Sequence, residues 1–239
     1  MIGFEIDTDA LPSHCAMLRL AGRRHIKVKV GCDNDVERVK IIRQSLGPSV
    51  PIRIDANGAW SAEQAIEILQ QMAPVRIQSV EQPVPAADLQ GMRQVRESTG
   101  VPVMADESLC TIEDAQELIR MQAADIFNIR LGKCGGFLAS LRLVELARAS
   151  GLDCHLGTLV GETGILSRAA EVFGRRVTGF ACLEGKGQSM KFLEEDIVEP
   201  WTCASVETRN GLGVGVCFDR ITKRAVEQPR VLQVKEVGR

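Results

Sequence analysis

The sequence predicts an α/β fold in which parallel strands close into a barrel, and three observations carry that expectation. From about residue 24 to 184, short β-branched runs alternate with amphipathic stretches, as in parallel strands joined by right-handed helical crossovers. Seven such repeats at this spacing favour closure over an open sheet. Three carboxylates also end apolar runs at nearly equal intervals: Asp55 after Ile52–Ile54, Glu81 after Ile77–Val80 and Asp106 after Val103–Ala105, 26 and 25 residues apart. That interval is about one strand, one helix and two short loops.

The elements follow in order. A first strand is expected at Gly3–Ile6 with a helix near Leu11–Ala21, completing eight strands. Strands are then expected at Ile26–Val30, Ile52–Asp55, Ile77–Val80, Val101–Met104, Ile126–Ile129, Asp153–His155 and Phe180–Leu183. The helices between them are Asp35–Leu46, Ser61–Met72, Ala86–Ser98, Thr111–Met121 and Ala139–Ser150. Asp33, Ser61 and Thr111 stand at or near N-caps, and Gln64 and Asp114, three residues after the latter two, complete capping-box patterns. Gly47, Gly100 and Gly151 follow helices where a left-handed residue ends a helix well. Past Glu184 the rhythm stops. Residues 185–239 hold Gly-rich turns and an alternating run, Leu212–Phe218, and read as a tail.

The bulk composition excludes several classes. With 239 residues, 45% apolar and 25% charged, the chain can bury a sizeable core as a soluble globular protein. A net charge of −2 gives no reason to expect nucleic acid or an anionic membrane as partner. Eight cysteines form no CxxC pair and read as reduced, mostly buried thiols. No apolar stretch spans a bilayer and no signal pattern opens the chain, so cytoplasm is the expected compartment.

In a parallel barrel the three strand ends meet at one rim, where Asp55, Glu81 and Asp106 repel one another unless a cation joins them. The pattern therefore points to a divalent metal site. Lys27-Val28-Lys29 closes the second expected strand; its lysines share one face and Val28 takes the other. Such lysines are ordinarily a surface pair, and one directed into a barrel mouth needs anionic or metal-linked company. Asn128-Ile129-Arg130 closes the sixth expected strand, followed by Lys133-Cys134-Gly135-Gly136, whose glycines let backbone approach a ligand or tighten a turn.

Taken together, Lys27-Val28-Lys29, Asp55-Ala56-Asn57-Gly58, Glu81-Gln82-Pro83, Asp106-Glu107-Ser108 and Asn128-Ile129-Arg130 with Lys133-Cys134-Gly135-Gly136 resemble the enolase superfamily. The likeness is closest to its muconate-lactonizing-enzyme subgroup (the mandelate racemase/muconate lactonizing enzyme type) and covers residues 1 to about 200. It implies a modified TIM barrel of the (β/α)7β type over residues 1–200, with residues 201–239 as a tail that packs on a capping domain. It implies Mg²⁺, with Mn²⁺ as a substitute, held by Asp55, Glu81 and Asp106. It further implies that Lys29 removes the proton next to the carboxylate of a small substrate, with Lys27 as its neighbour. The resulting enediolate goes on to elimination, cycloisomerisation or epimerisation. A lysine base with magnesium is the arrangement known for enolase-type sites and is taken from the resemblance.

Two departures stand out. Arg130 occupies the position where the subgroup usually holds a second lysine facing the first across the substrate. Arginine is no base, but it can hold a carboxylate or stabilise an anion. Two-base racemisation is thereby disfavoured against one-base elimination or cycloisomerisation. Lys133 is expected past the strand end, not in the missing base's place. The chain also begins at what reads as the first barrel strand, so the α+β capping domain is expected to be absent, and exposed surface there makes a homo-oligomer plausible. A truncated or degenerate, non-catalytic barrel is the alternative function. A phosphate-binding barrel is a weaker third reading, with only Gly185-Lys186-Gly187 to suggest it.

Other residues have two readings each. Asn57, Asn128, Lys133 and Glu107 are expected around the substrate, Glu107 at best behind the ligands because strand alternation turns it away. Glu162 either reaches the mouth or is a helix first-turn acid. Glu184 either meets substrate or is solvated. His155 is expected to serve as rim or packing, and Trp60 as wall.

Overall fold

The computed structural model describes residues 1–184, 193–200 and 211–223. They form two compact units, Met1–Gly157 with Gly179–Leu183, and Thr158–Thr178 with the residues from Glu184 onward.

The first unit is built on seven parallel strands in sequential order: β1 (Ile26–Lys29), β2 (Ile52–Asp55), β3 (Ser79–Glu81), β4 (Val103–Ala105), β5 (Ile126–Ile129), β6 (Asp153–Leu156) and β7 (Cys182–Leu183). The crossovers are helical: α2 (Asp35–Leu46), α3 (Ala62–Gln71), α4 (Leu89–Thr99), α5 (Ile112–Arg120) and α6 (Gly136–Ala149), preceded by α1 (Leu11–Leu20). Helix α1 packs on α2, α3 on α4 and α5 on α6. This is the α/β barrel-type architecture that the strand–helix alternation predicts.

The local reasons are those in the sequence. Ser61 and Thr111 each accept from the N–H three residues on, and the Gln64 and Asp114 side chains reach back to the cap N–H. Each box is worth about 1 kcal/mol. Helix α4 starts three residues later than expected because Asp88, whose side chain accepts from Gly91 N–H, is its N-cap.

Register then sorts the side chains. Val28, Ile54, Val80 and Val103 lie level on neighbouring strands and are fully buried, each contributing about 1.5–3 kcal/mol. By strand alternation the positions between them face the other way. Those rows are Lys27, Arg53, Ser79 and, one step further, Lys29, Asp55, Glu81. Thus the apolar row takes the helix side and an ionised row takes the other.

Two expectations need correction, and two others take one of their alternatives. Gly3–Ile6 is not a strand: Ile2 alone bridges Val28, and Phe4 and Glu5 turn outward into solvent. The strand expected at Ile77–Val80 runs Ser79–Glu81 and so includes its carboxylate. Arg76 and Ile77 are spent on a turn in which Arg76 takes a left-handed φ of 55°. Asn34 is the N-cap of α2, with Asp33 just before it as expected of a near-cap, while Asp35 folds back to accept from Gly31 and Cys32 N–H. Of the two roles expected of His155, rim or packing, the structure shows packing: it is buried, with its Nδ1 2.6 Å from Arg53 Nη1.

The second unit contains α7 (Gly164–Arg176), α8 (Phe218–Thr222) and an antiparallel bridge between Val198 and Val216. Arg168, fully buried, donates to the Leu212 carbonyl and pairs with Glu171. The Gly185-Lys186-Gly187 segment and most of residues 201–239 lie outside the described residues. All seven described cysteines are free; Cys15, Cys134 and Cys154 are buried and only Cys32 is exposed. Among the described residues no helix is long and apolar enough to cross a membrane.

Candidate functional site

The ionised row gathers at the C-terminal ends of β1 to β5, all within the first unit. Asp55, Glu81 and Asp106 are fully buried, and each is held by cations rather than by solvent. Lys27 Nζ lies 2.9 Å from Asp55 Oδ2 and 2.8 Å from Glu81 Oε2. Arg130 Nη2 lies 3.1 Å from Glu81 Oε1 and pairs with Asp106 Oδ2. Lys29 Nζ lies 2.7 Å from Asp55 Oδ2 and donates to Asn57 Oδ1. Asn128 Nδ2 donates to Glu81 Oε1 at 2.8 Å.

Lys133 lies beyond the strand end, in the turn after β5, yet its amine returns to Asp106: Nζ is 2.9 Å from Oδ1, bonds the Asp106 carbonyl and lies 3.4 Å from the Asn128 carbonyl. Glu107 accepts from Asn57 Nδ2 at 2.9 Å, so Asn57 links it to Lys29. The structure therefore joins Lys27, Lys29, Asp55, Asn57, Glu81, Asp106, Glu107, Asn128, Arg130 and Lys133 in one network.

Glu162 and Glu184 belong to the second unit. Glu162 is buried, accepting from Leu159 N–H at 3.0 Å and Ser167 Oγ at 2.9 Å just ahead of α7. Glu184 accepts from Thr158 N–H at 2.9 Å. Trp60 is buried.

Electrostatics separates the acids. Burial works to raise the Asp55 carboxyl, but Lys27 and Lys29 outweigh it and the pKa is lowered. Glu81 is pushed up to about 7, chiefly by burial and then by the charges of Asp55 and Asp106, against the pull of Lys27. One acid of the row is thus firmly ionised and its neighbour is poised near neutrality.

The donors are three buried carboxylates and amide oxygens, the ligand chemistry of a hard divalent cation. Lys27 and Arg130 now bridge adjacent acids and supply the neutralising charge that such an ion would supply. Correspondingly, among the described residues no set of three acidic, His or Cys side chains is arranged around a common point. The residues fit the ion in type and burial; their spacing is set by ammonium and guanidinium groups.

Sequence reasoning assigned no site role to Gln82, a fully buried side chain between the ends of β3 and β4. Its signal was adjacency to Glu81 in Glu81-Gln82-Pro83, where a polar residue is followed at once by proline.

Residues 11–220 match the enolase C-terminal domain-like family, and the chain belongs to that family. It is 39% identical over 145 residues to the hydrophobic dipeptide epimerase of Enterococcus faecalis, covering 61% of this chain and 41% of the relative. It is 32% identical over 229 residues to the N-succinyl-L-Arg/Lys racemase of Bacillus cereus, covering 93% and 61%. The dipeptide epimerase of Cytophaga hutchinsonii, solved with Mg and the dipeptide D-Ala-L-Val, superposes with a TM-score of 0.81 at 30% identity, covering 93% of this chain and 62% of that one. Chloromuconate cycloisomerases are also among the relatives. The chain spans about half the length of the curated relatives it matches.

Proposed function

We propose that this chain carries the metal-binding and proton-transferring part of an enzyme that removes the α-proton of a small carboxylate, with Mg²⁺ or Mn²⁺ as cofactor. The observation that carries the reading is the buried row Asp55, Glu81, Asp106 with two β1 lysines, one of them 2.7 Å from Asp55. Asp55, Glu81 and Asp106 would hold the ion, which supplies positive charge where negative charge develops on the substrate carboxylate. Lys29 is the group at the edge of that row and takes the proton. Asn57 and Asp55 hold its amine in place. Lys27, bonded to both Asp55 and Glu81, keeps those acids apart and oriented.

Arg130 sets the outcome. As a permanent cation on Glu81 and Asp106 it stabilises charge but accepts no proton. The reading is therefore a one-base reaction, elimination or the lactone-opening direction of a cycloisomerisation, on a carboxylate that bears an α-proton, such as an N-acylated amino acid, a dipeptide or a muconolactone. Arg130 and Lys27 lying between the acids also favour the second reading, a barrel whose cation pairs replace the ion and which is not catalytic.

Two measurements test this. Calorimetric titration is expected to show one Mg²⁺ or Mn²⁺ site that is lost in Asp106→Asn. In deuterated solvent, a panel of dipeptides, N-acylated amino acids and muconolactones is expected to include one whose α-proton exchanges with the native chain and not with Lys29→Met. Absence of metal binding, or exchange that survives in Lys29→Met, overturns the proposal.

A further inference from the structure

Resting on that reading, we propose that Gln82 is the positioning residue of the metal centre, its side chain standing in for a stretch of missing backbone between the strands that bear Glu81 and Asp106. The parallel ladder shows where the gap is. Gln82 N–H donates to the Met104 carbonyl at 2.9 Å, so in a parallel pair the Asp106 N–H is next due to donate to the Gln82 carbonyl. That carbonyl is taken: Gln82 adopts a left-handed φ of 39°, and its C=O accepts from Gly58 N–H at 2.7 Å. The turn ties β3 back to the segment after Asp55 and deprives Asp106 of its ladder acceptor.

The side chain replaces what the turn removes. Gln82 Oε1 accepts from Asp106 N–H and from Ser108 N–H, both at 3.1 Å. Its Nε2 donates to the Val84 carbonyl at 2.9 Å and to Ser108 Oγ at 2.8 Å, and Ser108 Oγ passes the chain on to the Ala86 carbonyl at 2.7 Å. The amide is fully buried with both ends satisfied, so it has one orientation. A single residue therefore touches the backbone after all three acids. Its carbonyl joins those of Glu81 and Pro83, which accept from Ala56 and Trp60 N–H, in holding the segment after Asp55. Its own φ turns the chain after Glu81, and its amide holds the chain at Asp106. Glu81 is also tied to the β2 side, where its carbonyl accepts from Ala56 N–H at 3.1 Å, but the Asp106 N–H reaches β3 through the Gln82 side chain, so Gln82 sets the spacing between the backbones that bear Glu81 and Asp106.

Loosening it should penalise ions by how strictly they demand geometry. Mg²⁺ requires near-octahedral ligands, whereas Ca²⁺ accepts irregular ones. In Gln82→Met, of similar length but without polar atoms, Mg²⁺ affinity measured by calorimetry is expected to fall about 10- to 100-fold, the range for lost outer partners of metal ligands, and Ca²⁺ affinity clearly less. In the metal-free protein, the Asp106 and Ser108 amides are expected to gain fast hydrogen exchange while β2 amides stay protected. Ser108→Ala, which removes one of the Nε2 partners, should give a smaller loss with the same ion preference, and it decides the matter if Gln82→Met does not fold. Unchanged Mg²⁺ affinity, or equal losses for Mg²⁺ and Ca²⁺, overturns the assignment. Wild-type protein that binds neither ion sinks the metal reading itself, and the Asp106 exchange result then stands apart from it.

Discussion

Raising the pH of the metal-free protein from 5 to 8 is expected to destabilise it through Glu81. The folded carboxyl titrates near 7 against 4.5 in the unfolded chain. A group whose folded pKa is raised contributes stability that is complete below its unfolded value and lost as pH rises through its folded one. That difference corresponds to about 3 kcal/mol, most of it lost between pH 5 and 8. Glu81 is fully buried, so solvent screening takes little away. Asp55 acts in the opposite sense, because its pKa is lowered; its contribution is present above its unfolded value near 4 and is lost only in stronger acid. Urea unfolding in EDTA at pH 5, 6.5 and 8, wild type against Glu81→Gln, isolates the effect. The variant should show a flatter profile, and the gap between the two proteins should narrow or reverse at pH 8. A wild-type profile that rises over this range relative to Glu81→Gln refutes the reasoning.

Three further outcomes follow from the same network. Asp106→Asn leaves Arg130 and Lys133 beside a neutral amide and should cost about 3 kcal/mol in chemical unfolding without metal. Arg130→Lys restores a titratable amine on the far side of the acid row; with a substrate found by the deuterium screen, it should allow exchange of the antipode that the native chain leaves untouched, read by chiral chromatography. Gly58→Ala should destabilise by more than 1 kcal/mol in thermal unfolding, because φ is +74° and a Cβ would meet Pro85 Cα and the Val84 carbonyl at 3.2 Å.

The parts of the site that were legible in the sequence are those that alternation and spacing encode. Asp55, Glu81 and Asp106 end strands, so their intervals bring them to one end of the sheet, and Lys27 and Lys29 share a face because Val28 lies between them. What stayed hidden depends on side chains that leave the strand direction. Lys133 sits three residues beyond Arg130, yet a long flexible stem returns its amine to Asp106. Gln82 imitates main chain, and no periodicity reports that. The helix Gly164–Arg176 had signals that went unread: Thr163 at its N-cap and two arginines in its last turn. The expected strand at Gly3–Ile6 failed for the opposite reason, since its alternating apolar residues mimic a strand while Phe4 and Glu5 face solvent.

Beside β1, Ile2 donates to the Lys27 carbonyl at 2.8 Å and accepts from Lys29 N–H at 2.9 Å, and the buried Arg38 clasps the Gly3 and Ile6 carbonyls. This short clasp covers the free hydrogen-bonding margin of the strand that carries both lysines. Such margins otherwise template pairing with a second chain. Deleting residues 1–6 would bare the margin and strip Arg38 of its acceptors, leaving the strand open to intermolecular strand addition.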